Sequence, residues 1–131
     1  MKENFVLWFE IPVKIMERAI RFYESVFNIS LSRNTLEYPT GKVNMAWFPM
    51  FEGQVGAGGA LIDQPAWSKP SGDGILVYLN SQSNDIDEEL ARVEKEGGKI
   101  LTPKTFISKA IGYIGMFLDS EGNKVAVLSR K

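Results

Sequence analysis

One order of elements can be read twice in this chain: a strand, an amphipathic helix, then three more strands. In residues 5–13, Leu7, Phe9, Ile11 and Val13 alternate with Trp8 and Glu10, the period of a half-buried strand. Pro12 ends that strand or marks it as a sheet edge. From Ile15 to Phe27 the period becomes three and four. Met16, Ala19, Ile20, Tyr23, Val26 and Phe27 recur while Glu17, Arg18, Arg21 and Glu24 fall between, which predicts a helix with one buried stripe. Strands are expected next over about 29–38, 42–49 and 55–62, parted by turns at Pro39-Thr40-Gly41 and Phe51-Glu52-Gly53.

The segment 64–74, with Pro65, Pro70 and Gly72, reads as a connector between module one (about 1–63) and module two (about 75–131). In module two, Ile75, Val77 and Leu79 alternate with Leu76, Tyr78 and Asn80. A helix then opens at Asp85 and runs to about Glu96, with Ile86, Leu90 and Val93 on one side, a capping box in Asp85 and Glu88, and Gly97-Gly98 as its stop. Strands over about 99–106, 111–118 and 124–129 finish the unit, the last two joined by the turn Asp119–Asn123. Identity between the halves is slight, so what repeats is the pattern.

Two such units predict a single α+β domain of paired βαβββ modules, a curved mixed sheet around a cup. At 131 residues and 44% apolar composition the chain suffices for one sizeable core. On this reading Leu7, Phe9, Ile11, Ile75, Val77 and Leu79 face the helices, and Trp8, Glu10, Leu76 and Tyr78 face the cup. A net charge of −1 with no basic patch argues against nucleic acid and anionic membrane surfaces as partners. No run approaches the roughly 18 apolar residues of a membrane span, and the expected setting is soluble and cytoplasmic. The chain has neither Cys nor His, so thiolate and imidazole chemistry are both absent.

The run Ile11 to Phe27 with its Arg18-Ala19 and Phe22-Tyr23 pairs, then Gly58 to Leu61, Gly97-Gly98 and Phe117 to Asn123, resembles the glyoxalase, bleomycin-resistance and extradiol-dioxygenase superfamily, also called vicinal oxygen chelate proteins. The resemblance spans essentially the whole chain. It implies paired βαβββ modules, commonly a homodimer, and a ligand or metal site inside the cup. In catalytic members the metal is usually held by His or Gln and Glu on the first and last strands of each module. Carried over, those positions fall at Trp8, near Leu76, at Ala126, and among Gly58, Gly59 and Ala60. None offers a side-chain donor suited to a transition metal, so no metal and no cofactor are expected.

Each remaining candidate has a structural and a functional reading. Trp8 is a core aromatic or a stacking wall for a planar ligand. Glu10 is an edge-strand charge or, if dehydrated beside Trp8, a general base. Tyr78 packs or donates a hydrogen bond. Lys104 protects an edge strand, binds an anion, or forms a Schiff base if its pKa is depressed. Trp47 and Tyr113 are strand aromatics whose face the pattern leaves open, Tyr113 counting among the candidate ligand contacts. Gly56, Gly58 and Gly59 lead into a strand, which excludes a phosphate loop. Glu37, Glu52, Asp63 and Glu121 read as turn and surface residues.

The leading expectation is a metal-free small-molecule binding protein, homodimeric, whose unknown ligand contacts Trp8, Glu10, Leu76, Tyr78, Lys104, Tyr113 and Ala126. Two alternatives stand beside it: a glyoxalase-like lyase, isomerase or epimerase with Glu10 as its catalytic group or an unanticipated metal site, and a structural or regulatory protein docking another chain through an exposed sheet edge or apolar patch.

Overall fold

The computed structural model describes residues 2–39 and 41–131; Met1 and Thr40, the latter within the expected 39–41 turn, lie outside it. Module one comprises β1 (Trp8–Pro12), α1 (Met16–Phe27), β2 (Ser32–Tyr38), β3 (Gly41–Trp47) and β4 (Gly58–Asp63). Module two comprises β5 (Tyr78–Asn80), α2 (Ile86–Val93), a 3₁₀ turn over Glu94–Glu96, β6 (Lys99–Ser108), β7 (Gly112–Leu118) and β8 (Lys124–Ser129). The strand orders β1-β4-β3-β2 and β5-β8-β7-β6 are the same topology twice. In each, the first strand runs parallel to the last and stands at the sheet edge, because the helix carries the chain across before three antiparallel strands return.

Both helices end as their sequences demand. Asn28 takes the left-handed conformation after α1, and Gly97 takes it after the 3₁₀ turn. Asp85 caps α2 by accepting from the Asp87 N–H at 3.1 Å. The buried face of α1 is wider than the expected stripe and includes Phe22. The reason is that α1 packs on module two as well as on its own sheet: Phe22 meets Phe117 at 5.8 Å between ring centroids, and one core runs from Ala19 and Val26 through Val93 to Val125 and Val127.

Two glycines make close packing possible. A side chain at Gly59 would collide with the Phe9 ring, and one at Gly115 would come within 2.9 Å of Leu90, the residue that seats α2 on its sheet.

The turn Asp119–Asn123 locks the modules together. Asp119 accepts from the Tyr23 hydroxyl of α1 at 2.6 Å and from the Glu121 and Asn123 N–H groups. Glu121, expected at the surface, is instead buried: its carboxylate accepts from the N–H of Lys14 and Ile15, both at 2.8 Å, and from Arg18 Nε at 2.7 Å. A carboxylate here satisfies amide donors at the entry to α1 and complements the positive end of the helix. Burial pushes its pKa up, but Arg18, the two amides and the Ser120 hydroxyl outweigh burial and bring it down to about 2.

Candidate functional site

The alternation read for β1 holds within the strand. Phe9 and Ile11 join the helix-side core, while Trp8 packs on the opposite face. It fails outside the strand: Leu7 and Ile75, expected against the helices, are 87% and 95% exposed, because β1 begins only at Trp8 and β5 only at Tyr78.

On the face of sheet one away from α1, Val43, Met45, Ala60 and Ile62 form a second buried cluster covered by Trp8, Leu36, Tyr38 and Trp47. Trp8 meets Trp47 edge-on at 5.3 Å, and Trp67 from the connector meets Tyr38 at 5.1 Å. Side chains of the module itself therefore fill much of this face. Trp47 Nε1, beneath them, is the one buried side-chain polar atom without a partner among the described residues.

A crevice of about 1160 Å³ opens between the two edge strands, lined by all of β1 and all of β5. Neither strand has a hydrogen-bonded neighbour on that side. Phe27, Ile29 and Phe48 line its helix side, and Phe5, Val6, Met50, Phe51 and Val55 its rim. Its lining mixes these apolar side chains with polar ones, among them Glu10, Gln54, Asn80, Gln82 and Lys124.

The structure brings Trp8, Glu10, Leu76 and Tyr78 together along this crevice. The Trp8 indole donates to Glu10 Oε2 at 3.3 Å, and both Glu10 and Tyr78 are solvent-exposed, so the dehydrated setting imagined for Glu10 is absent in the single chain. Ala126 is buried in β8 between Tyr78 and Met116 and does not line the crevice. Lys104 and Tyr113 lie apart from the other four, on the helix side of sheet two. Lys104 Nζ donates to Asp85 Oδ1 at 2.9 Å and sits 4.7 Å above the Tyr113 ring. The hydrogen bond to Asp85 raises the Lys104 pKa, the opposite of what a Schiff-base lysine needs.

The pattern missed the rim. Met50 and Phe51 beside the Gly53 turn, and Phe5 ahead of β1, are large apolar residues where chain turns or begins, a signal that burial is supplied from outside the local fold. It also missed Glu89, a buried carboxylate on α2 that holds the loop after β5 through Ser81 and the N–H groups of Gln82 and Ser83.

The positions to which the resemblance carries metal ligands, Trp8, Leu76, Ala126 and residues 58–60, hold an indole, an alkyl chain, methyl groups and glycine backbone, a donor set that does not fit a divalent metal. Among the described residues there is also no group of three or more acidic, His or Cys side chains able to hold one elsewhere.

The profile of the Glyoxalase/Bleomycin resistance protein/Dioxygenase superfamily matches residues 6–127, and the chain belongs to that superfamily. Solved structures share the fold. A glyoxalase/bleomycin resistance protein from Albidiferax ferrireducens T118 aligns at TM-score 0.67 and 17% identity over 96% of this chain and 98% of its own. An antibiotic binding protein from Streptomyces sp. CB03234 aligns at 0.61 and 22%, covering 100% and 99%. The fosfomycin resistance protein FosX from Listeria monocytogenes aligns at 0.63 and 15%, covering 98% and 92%. No curated protein matches the chain in sequence. Among the described residues no helix is long and apolar enough to cross a membrane.

Proposed function

We propose that this protein is a metal-independent small-molecule binder that holds its ligand in the crevice between β1 and β5, and that it works as a homodimer. The observation that carries the reading is the crevice itself, large and bounded by two unpaired strand edges. The superfamily's metal positions filled by non-donors support binding over metal-assisted turnover, and the antibiotic binding protein from Streptomyces is a precedent for binding on this fold. Phe5, Val55 and Ile75 of the crevice lining, and Leu7 beside Trp8 in sequence, stand almost fully in solvent, apolar surface that a second copy would cover.

Native mass spectrometry with elemental analysis on untagged protein purified without chelator tests this. A metal-free dimer carrying an organic mass is the expected result; stoichiometric divalent metal overturns it. An enzymatic reading rests on Glu10, the carboxylate that lines the crevice beside Trp8. It requires that Glu10→Gln abolish turnover of a bound compound while leaving its affinity and the fold intact.

A further inference from the structure

The two ends of the crevice differ in chemistry, and the difference specifies a ligand class. β1 fixes the direction: Trp8 lies beside Gly58 at one end and Pro12 beside Ile62 at the other. Around the Trp8 end the walls are Phe5, Val6, Met50, Phe51 and Val55, with no charged side chain among them. At the Pro12 end, Asn123 ties three segments together, donating to the Pro12 carbonyl at 2.8 Å and accepting from the Ser71 N–H at 3.1 Å. That junction brings in Lys124, which starts β8, and the connector residues Ser68, Lys69 and Ser71.

Both lysines are exposed, and neither is ion-paired among the described residues. Ser71 Oγ accepts from the Asp73 N–H, which leaves its own proton for an acceptor. Asp63 borders the neighbouring hollow beside Lys69 but makes no ion pair with it. Glu10, midway along β1, is the carboxylate in the crevice lining, and it disfavours an anion beside it.

We propose that the crevice takes an amphipathic anion, a carboxylate on a long apolar chain, with its head between Lys69 and Lys124 and its tail running along β1 toward Phe5 and Phe51. This rests on the binding reading above and names the class of its ligand. The tail supplies affinity through apolar burial, and the exposed lysines set orientation and charge preference.

The test is a titration of the full chain, followed by tryptophan fluorescence, with octanoate, decanoate and dodecanoate below their micellar concentrations. Dodecyltrimethylammonium serves as the cation of matched chain, and phosphatidylglycerol vesicles as a membrane source of anionic amphiphile. The expected result is saturable carboxylate binding that tightens about two- to fourfold per methylene. The cation should bind at least tenfold more weakly. The doubly exposed variant Lys69→Glu/Lys124→Glu should reverse that preference with an unchanged melting temperature. Equal affinity for anion and cation, charge reversal without effect, or recruitment to vesicles without binding of free dodecanoate would each overturn the proposal. If none of these amphiphiles binds while purified protein retains another small molecule in the crevice, this proposal fails and the binding reading stands; if Trp8 and Tyr78 report no ligand of any kind, both fail.

Discussion

Glu121→Gln should weaken the protein by about 2 kcal/mol at neutral pH, through the joint between its modules. The carboxyl pKa falls from an ordinary 4.5 to about 2 in the fold. At ~1.36 kcal/mol per pKa unit, that shift of about 2.5 units sets a ceiling of roughly 3.4 kcal/mol. Arg18, the partner cation, is 42% exposed, so water screens part of the attraction and the ceiling is not reached. For a chain of this length, about 2 kcal/mol corresponds to a fall in Tm of roughly 6–10 °C. A group whose folded pKa is depressed stabilises above its unfolded pKa and loses that contribution as pH drops through the folded one. The gap between wild type and variant should therefore be full above pH ~4.5 and shrink to about 40% of its neutral value by pH 3. Urea unfolding followed by tryptophan fluorescence at pH 7 and pH 3 measures both, with the same m-value for the two proteins. A loss under about 0.5 kcal/mol at pH 7, or an undiminished gap at pH 3, would refute the reasoning.

Tyr23→Phe removes the 2.6 Å hydrogen bond to Asp119 and should cost about 1–3 kcal/mol in the same assay. Burial first, then Asp119, raises the Tyr23 pKa well above 10. Wild type should therefore lose stability as pH climbs past the unfolded tyrosine pKa, and the variant should lack that part of the alkaline decline. Gly115→Val should cost about 1–3 kcal/mol, since its side chain meets Leu90 of α2, with circular dichroism reporting the lower melting temperature. Lys104→Met should leave ligand affinity in the crevice unchanged, because Lys104 is engaged with Asp85 on the helix side of sheet two; a several-fold loss in a fluorescence titration would contradict that placement.

The modular fold was legible because period changes along the chain carry it. The switch at Ile15, the Gly97 helix stop and the Gly122 turn each reflect local geometry that a short window of sequence determines. Strand starts were less legible: residues 5–7 and 75–77 alternate like strands but lie outside the ladders of β1 and β5, with the Val77 carbonyl alone reaching β8 by accepting from the Ala126 N–H, and pairing is not a local property. Glu121 escaped for the same reason. Nothing within the turn distinguishes a solvated carboxylate from one that meets Lys14, Ile15 and Arg18 more than a hundred residues earlier. For the site, alternation along β1 and β5 put Trp8, Glu10 and Tyr78 on one face, and all three line the crevice. It could not reveal that Leu36, Tyr38, Trp47 and Trp8 would close over sheet one, because side-chain volume across a sheet depends on register between β2, β3 and β4.

The central claim, that ligand enters between β1 and β5, is tested most directly by amide chemical-shift mapping of ¹⁵N-labelled protein titrated with 8-anilinonaphthalene-1-sulfonate. Saturable shifts concentrated at Trp8–Pro12, Tyr78–Asn80 and the Met50–Gly58 segment are the predicted result. Shifts centred instead on Val43–Trp47 or on β6 and β7, or no saturable response, would contradict it.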